Sequence, residues 1–273
     1  MKLINIKIAA GALASLLFFS QCDDKDLIAE NNKWEYLDSS SNANVRVIHC
    51  FAGNTPQIPT APNLTTGPQV FIYANGQKLN GNALSYAGQW PSPNVYATIP
   101  SGNVEFKIIN ARMNLAVVPN IPAPIAGDTL YTFTQQLDKG KYYSMYMGDT
   151  VPFIRFVVKE DVMPTPDYQT YKIRLANMIM NPTDTLTLYS RRQAAEIISN
   201  ITHKQVSDWI QLPLPIISDT LEIRKKGSTS TYVTVGGSAP SFAPTGLRFY
   251  TVVTRGKTGV TGKTVSASIL TNR

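Results

Sequence analysis

The sequence predicts an all-β protein built from two tandem β-sandwich domains, and three observations support this prediction. Only 16% of the 273 residues are charged, whereas 43% are hydrophobic and 10% are aromatic. That composition suits buried β-structure better than a charged helical bundle. Short runs of β-branched and aromatic residues recur between Gly, Pro, Asn and Asp residues, as strands do between turns. These runs occur in the same order in both halves of the chain.

The internal repeat consists of six strand-like blocks that occur twice. Each block has near alternation of apolar and polar residues, which is typical of strands with one buried face. About seven strands per copy, in ~100 to 125 residues, predict an immunoglobulin-like sandwich in each copy rather than one large barrel. The matched blocks are 45–49 and 173–177, 70–73 and 186–189, 95–100 and 208–213, 104–108 and 221–225, 140–147 and 246–253, and 153–158 and 264–270.

The chain divides into five segments. The first has the pattern of a signal peptide, because Lys2 and Lys7 precede an apolar run too short to span ~30 Å of hydrocarbon. The second is polar, carries a net charge of −4 and could extend to ~75 Å, so we interpret it as a tether, with a free tail as the alternative. The predicted segments are the signal peptide 1–21, the acidic tether 22–44, the first sandwich 45–162, the Pro-rich linker 163–170 and the basic second sandwich 171–273.

The end of the apolar run, Phe19-Ser-Gln-Cys22, resembles a bacterial lipoprotein signal. This resemblance implies cleavage before Cys22 and lipidation of its thiol. Asp23, Asp24 and Asp26 resemble the signal that exports Bacteroidetes lipoproteins to the outer face of the outer membrane. The resemblance implies a lipid-anchored protein that faces the cell exterior. A periplasm-facing lipoprotein and an ordinary secretory signal with a chance cysteine are the alternatives.

A second resemblance lies in the first copy. Its residues 45–49, 70–76, 84–86 and 99–108 are similar to the β-sandwich domain called domain-of-unknown-function family 4397. The similarity extends to about residue 160. The second copy is a weaker match, since it has Asn177 where the first has His49. The resemblance implies a secreted or surface location and assigns no activity.

The charged residues favour the second copy as a binding domain. Residues 45–170 carry a net charge of +1, whereas residues 171–273 carry +8. Such a field attracts polyanions, which here are lipopolysaccharide phosphates, acidic glycans or an acidic protein. Nucleic acid is not expected, because the chain is exported and has no matching motif. A solvated basic face is the alternative. The candidate contacts are Arg191, Arg192, Arg224, Lys225 and Lys226.

Trp90 is the candidate carbohydrate contact of the first copy. It lies in the loop Gln89-Trp-Pro-Ser-Pro93, and aromatic faces stack on sugar rings. Packing against the domain is the open alternative. Trp209 aligns with Tyr96 of the first copy, so both are expected in the core.

Neither catalytic residues nor a metal or cofactor site are assigned. His49 and Cys50 are neighbours on a predicted strand, so they point to opposite faces and cannot bind one ion together. We interpret them as a structural histidine and a small buried cysteine. His203 is expected to be exposed in a loop. The chain lacks the common hydrolase, metalloprotease and nucleotide-binding motifs.

Four Asp-Thr-aliphatic tripeptides resemble the acceptor of Bacteroidetes O-glycosylation. They place candidate glycans on Thr129, Thr150, Thr185 and Thr220. A local explanation is also available, because Asp favours turns and Thr followed by an aliphatic residue favours the start of a strand.

These features predict a non-catalytic surface lipoprotein that works as a binding or adhesion module for glycan or matrix polyanions. The alternative is a structural accessory subunit docked on an outer-membrane transport or secretion complex.

Overall fold

The structure is a computed structural model that describes residues 38–51, 69–91, 94–111, 127–149, 154–236, 242–258 and 264–272. The regular structure of these ranges is seventeen β-strands, without a helix. None of these residues therefore belongs to a helix that is long and apolar enough to cross a membrane. The all-β prediction is confirmed. Asp38–Arg273 forms one compact unit.

The first half, residues 38–162, forms two sheets. Sheet I has the order β4-β1-β8-β9, with β5 also paired to β1, and sheet II has the order β3-β2-β6-β7. The strands are β1 (Ala43–His49), β2 (Val70–Ala74), β3 (Gln77–Lys78), β4 (Gln89–Trp90), β5 (Ala97–Ile99), β6 (Gly102–Asn110), β7 (Thr129–Leu137), β8 (Tyr142–Gly148) and β9 (Arg155–Glu160).

The second half, residues 163–272, also forms two sheets. Sheet III has the order β13-β10-β16-β17, and sheet IV has the order β12-β11-β14-β15. The strands are β10 (Thr170–Ile179), β11 (Leu186–Ser190), β12 (Ala195–Ile201), β13 (Ile210–Pro213), β14 (Leu221–Lys225), β15 (Thr231–Thr234), β16 (Phe249–Gly256) and β17 (Ser266–Thr271).

Corresponding strands of the two halves pair in the same order, but only the β1–β5 and β10–β13 pairs keep the register of the matched blocks. β1 runs parallel to β8, and β10 runs parallel to β16. Val45 lies opposite Ala97, and the matched residue Ile173 lies opposite Ile210. Val45 lies opposite Tyr143 and Ile173 lies opposite Tyr250, so Tyr143 corresponds to Tyr250 and the predicted match of blocks 140–147 and 246–253 is wrong by one residue. A shift of one residue turns every side chain to the other face, so the corrected match is the one that places equivalent side chains on the same face.

Each half has its own hydrophobic core between its two sheets. The first core joins sheets I and II through residues such as Val45, Phe106 and Met145, and the second joins sheets III and IV through residues such as Ile173 and Leu188. Strand β6 shows the expected alternation, with every second side chain buried. This arrangement of facing sheets is consistent with a β-sandwich fold.

A third cluster packs sheet I against sheet III, so the four sheets are stacked in the order II, I, III, IV. The side chains of β1, β8, β10 and β16 are therefore buried along almost their whole length on both faces. The cluster consists of Ile48, Cys50, Tyr146, Ala176, Met178, Val206 and Val253.

The ends of the predicted segments differ slightly from the strand ends. Ala43 and Asn44, the last predicted tether residues, already belong to β1. Before them, Asp38 accepts hydrogen bonds from the backbone of Ser40 and Asn42 and forms a turn. Residues 163–169 connect β9 to β10 without regular structure, while sheets I and III on either side of this connection are in contact.

Candidate binding surface

Some basic side chains of the second half form ion pairs with acidic neighbours. Glu222 pairs with two of them. Its buried carboxylate pairs with Arg224 at 2.8 Å and with Arg191. The Arg224 guanidinium also lies 3.3 Å from the ring centroid of Tyr189. Burial acts to raise the pKa of Glu222, but hydrogen bonds from Arg224, Thr231 and Arg191 outweigh it and lower the pKa. Arg224 therefore stabilises sheet IV.

Lys225 has a similar structural role beside Asp184. Its Nζ lies 2.9 Å from Asp184 Oδ1 and 4.4 Å from the ring centroid of Tyr232. The other carboxylate oxygen accepts hydrogen bonds from Tyr232 and Asn181. Burial acts to raise the pKa of Asp184, but hydrogen bonds from Lys225, Asn181 and Tyr232 lower it. An external polyanion would compete with Asp184 for Lys225.

Arg191, Arg192 and Lys226 remain exposed, but they do not lie together. The Arg191 side chain is 62% exposed despite its pairing with Glu222. Arg191 and Arg192 directly follow β11, at the end that lies opposite Leu221, whereas Lys226 follows the other end of β14. The length of β14, about 13 Å, separates them. The predicted basic cluster is thus a pair of arginines and one distant lysine.

Arg248, which the sequence analysis did not single out, lies at the same end of the second half as Arg191 and Arg192. The Arg192 amide donates to the Asp219 side chain. The backbone of Asp219 pairs with that of Phe242 in an isolated β-bridge. The Phe242 ring contacts Tyr171 at the beginning of β10, where Lys172 donates to the Arg248 carbonyl. This is the end of the molecule at which β1, β8, β10 and β16 begin, and we call it the strand-start end. Arg248 is exposed there.

Trp90 lies in β4 opposite Val47 and is half-buried against the first core. This position gives the ring a packing role in the edge of sheet I. Trp90 is only partly buried, and its contact with a sugar stays a prediction.

The candidate glycosylation sites differ in exposure. Thr129 is exposed at the beginning of β7, whereas Thr185 and Thr220 are half-buried. The Thr185 carbonyl accepts a hydrogen bond from the Lys226 backbone amide, and the Thr220 carbonyl accepts one from the Arg191 backbone amide. Thr150 lies outside the described residues. A bulky glycan must face solvent, so Thr129 is the favoured position among the three that are described.

His49 and Cys50 point to opposite faces, as predicted. The His49 ring is buried in the first half and stacks on Phe51 with a centroid distance of 4.1 Å. Cys50 lies in the third cluster, where burial raises the pKa of its thiol to about 12. In the described ranges, groups of three or more His, Cys, Asp or Glu side chains that could hold a metal ion are absent.

His203 is not exposed as expected, because it forms a contact between the halves. Its Nδ1 lies 2.6 Å from the Ile179 carbonyl, and its Nε2 lies 3.4 Å from Asp149 Oδ1. Lys204 also pairs with Asp149. Asp149 directly follows β8, so the packing of sheet I against sheet III creates this site. The sequence places His203 in a loop but gives no indication that sheet I packs against this loop.

Two buried arginines are the main feature that the sequence analysis missed. Arg46 and Arg174 occupy the second position of the first matched block in each half and are fully buried. Arg46 Nε donates to Ser144, and Arg174 Nε donates to Thr251, both at 3.0 Å. Each acceptor lies directly opposite its arginine on the parallel neighbouring strand. The sequence did contain a signal for them, because an arginine stands between two apolar residues at the same position of this block in both copies.

Both arginines reach across to the opposite half. Arg46 Nη1 donates to the Thr271 carbonyl at 3.0 Å, and Arg174 Nη2 pairs with Asp161 Oδ1 at 2.5 Å. Asp161 Oδ2 also accepts from Ser144 and from Tyr96, each at 2.5 Å. Burial raises the pKa of Tyr96, so its hydroxyl stays protonated and can donate. A buried polar network therefore fixes the two halves against each other.

The predicted anchor residues Cys22, Asp23, Asp24 and Asp26 lie outside the described residues. No protein-family model matches the chain, and the search of curated proteins finds no match. The resemblance of the first copy to family 4397 and the lipoprotein signal therefore stay predictions from the sequence.

Proposed function

We propose that the chain is a non-catalytic surface lipoprotein whose two immunoglobulin-like domains bind polyanions, namely anionic glycans or lipopolysaccharide. The observation that carries the proposal is the group of exposed arginines at the strand-start end of the second half. Arg191, Arg192 and Arg248 lie there, within residues 171–273, which carry a net charge of +8. Exposed charge of one sign raises the local concentration of ligands of the opposite sign.

The stacking of the sheets supports a binding role because the backbone of these arginines adjoins strands of packed sheets. Arg191 and Arg192 directly follow β11, and Arg248 directly precedes β16. Their backbone positions are therefore set by strands that belong to the packed sheets. A site on rigid elements loses less conformational entropy when a ligand binds.

The lipid anchor is tested by Cys22→Ala. We expect this variant to leave the membrane fraction, because several acyl chains on Cys22 would otherwise hold the chain at the membrane. Mass spectrometry of the wild-type amino terminus checks the acylation. A variant that stays in the membrane fraction contradicts the anchor. Replacing Asp23, Asp24 and Asp26 with Asn should lower protease accessibility on intact cells, and unchanged accessibility contradicts the export signal.

The polyanion site is tested by Arg192→Glu combined with Arg248→Glu. We expect binding of purified lipopolysaccharide and of a sulfated polysaccharide to fall several-fold at low ionic strength. The effect should shrink as salt rises, because exposed charges are screened over ~8 Å at physiological ionic strength. Titration at two salt concentrations measures it.

Lys226→Glu combined with Lys257→Glu is the matched control. It changes the net charge equally, but both lysines are exposed at the ends of β14 and β16 that lie away from the strand-start end. Equal weakening by both double variants would mean that diffuse charge, and not a site, attracts the ligand. If gentle detergent extraction instead yields a stoichiometric membrane-protein partner and neither polyanion binds, the accessory-subunit alternative replaces this proposal.

A further inference from the structure

The exposed large apolar side chains of the described residues concentrate at the strand-start end. Ile216 is 94% exposed, Ile217 is 69% exposed and Tyr168 is 83% exposed. Leu247, Val162 and Tyr142 are exposed at the same end, whereas Val95 lies beside Tyr96 at the edge of sheet I. Single exposed apolar residues need no explanation, but a group that includes two consecutive isoleucines marks an interaction surface.

Backbone pairing places the isoleucines at this end. Strand β13 runs antiparallel to β10, with Pro213 opposite Thr170. The Leu214 amide then donates to the Gln169 carbonyl at 2.8 Å, so the chain that follows extends beyond the first residue of β10. Ile216 and Ile217 lie in this extension, which we call the isoleucine loop.

The neighbouring residues complete the surface around the isoleucine loop. The Leu247 amide donates to the Thr170 carbonyl at 2.8 Å, which places Leu247 at the start of β10. In the first half, the Asp161 amide donates to the Tyr142 carbonyl at 2.7 Å, and Val162 follows directly. Because Asp161 pairs with Arg174, the strand-start ends of both halves lie side by side.

Basic groups flank the isoleucine loop. Arg192 Nη1 donates to the Ile217 carbonyl at 2.9 Å, and Arg248 directly follows Leu247. Both arginines are exposed. Apolar side chains with cationic neighbours are typical of surfaces that lie in the interface of an anionic bilayer, where the arginines meet headgroup phosphates.

The chain also enters the described structure at this end. Asn42 precedes β1, and its carbonyl accepts from Gly140 in the turn before β8. Fifteen residues lie between Cys22 and Asp38, and this segment spans at most about 55 Å when fully extended. A lipid on Cys22 would therefore keep the strand-start end within about 55 Å of the membrane.

We propose that the strand-start end is a membrane-binding surface, in which Ile216 and Ile217 insert into a bilayer while Arg192 and Arg248 contact its phosphate-bearing anionic lipids. This inference rests on the proposed lipid anchor and polyanion binding, and it names the polyanion as the headgroup layer of the membrane itself.

A fluorescent label at position 217 tests the surface. Ile217→Cys in the acylated full chain offers one reactive thiol, because Cys50 is buried and Cys22 carries the lipid. The label is an environment-sensitive fluorophore, and the chain is reconstituted in phosphatidylcholine vesicles with or without phosphatidylglycerol. We expect a blue shift of the emission and quenching by a lipid-embedded quencher, both larger with phosphatidylglycerol. Lys226→Cys is the control, and its emission should stay that of a water-exposed label.

The outcomes separate the surface from the anchor. If the chain sediments with the vesicles but the label at 217 behaves like the label at 226, the membrane surface is overturned and the anchor stands. If the chain stays in the aqueous phase with unacylated Cys22, both are overturned. A blue shift that requires a co-purified membrane protein would place a protein on the surface and overturn the bilayer as its ligand. Adding Arg192→Glu and Arg248→Glu should abolish the difference between the two vesicle types, and a persistent difference would remove the arginines from the proposal.

Discussion

Arg174→Ala is expected to lower the free energy of unfolding by about 3 to 5 kcal/mol, because it leaves a buried carboxylate without its cation. Arg174 and Asp161 have fully buried side chains and pair at 2.5 Å across the two halves. Arg174 also donates to Tyr146 at 3.1 Å and lies 4.1 Å from the ring centroid of Trp209. Chemical denaturation followed by circular dichroism measures the loss.

The matched control for Arg174→Ala is Lys159→Ala, which breaks an exposed ion pair between the halves. Lys159 lies 2.9 Å from Asp208, whose side chain is 93% exposed. Such a pair contributes about 1 kcal/mol or less. Adding Asp161→Asn to Arg174→Ala should recover part of the stability, since it removes the uncompensated charge. Equal effects of Arg174→Ala and Lys159→Ala would contradict a stabilising role for the buried pair.

Tyr146→Ala is expected to destabilise both halves together, by about 3 to 5 kcal/mol. The Tyr146 side chain is fully buried in the cluster between sheets I and III, where it packs with residues of both halves, including Met178. In a Trp34→Phe background, fluorescence reports the first half through Trp90 and the second through Trp209. Both signals should change in a single transition with a lower midpoint, because the cavity lies in the contact that the halves share.

Tyr146→Phe separates the ring from its hydroxyl. The ring still fills the cluster, but the hydrogen bond from Arg174 is lost, which costs about 1.5 to 3 kcal/mol for a bond to a charged group. We therefore expect a smaller loss than for Tyr146→Ala. Two separate transitions, with only the Trp90 signal shifted, would mean that the halves unfold independently and would contradict the shared cluster.

Strand positions followed from the sequence because strand periodicity is local. The blocks 45–49 and 104–108 lie inside β1 and β6. In β6 every second side chain is buried, and in β1 Val45 and Val47 face the first core while Ile48 faces the third cluster. His49 and Cys50 point to opposite faces for the same reason, because neighbouring residues of an extended chain alternate in direction. Alternation did not reveal that β1 is buried on both faces, because the second burial depends on a sheet more than a hundred residues away.

The candidate surface followed from the sequence only in part. The charge imbalance between the halves could be counted, but the partners of individual basic residues could not. Arg224 and Lys225 turn towards Glu222 and Asp184 because antiparallel pairing in sheet IV sets their faces. Arg248 was missed because its place at the strand-start end depends on how the strands are arranged.

The sequence by itself determined that the chain is β-structured, where many of its strands lie, that His49 and Cys50 point to opposite faces and that the second half is the basic one. These properties depend on neighbours two or a few residues apart, which a reader of the chain can compare directly. The tertiary structure alone decided that sheets I and III pack together and that Arg46 reaches the Thr271 carbonyl. It also decided that His203 meets Asp149. Such contacts join residues far apart in the chain, so burial, charge pairing and packing of the whole fold select them.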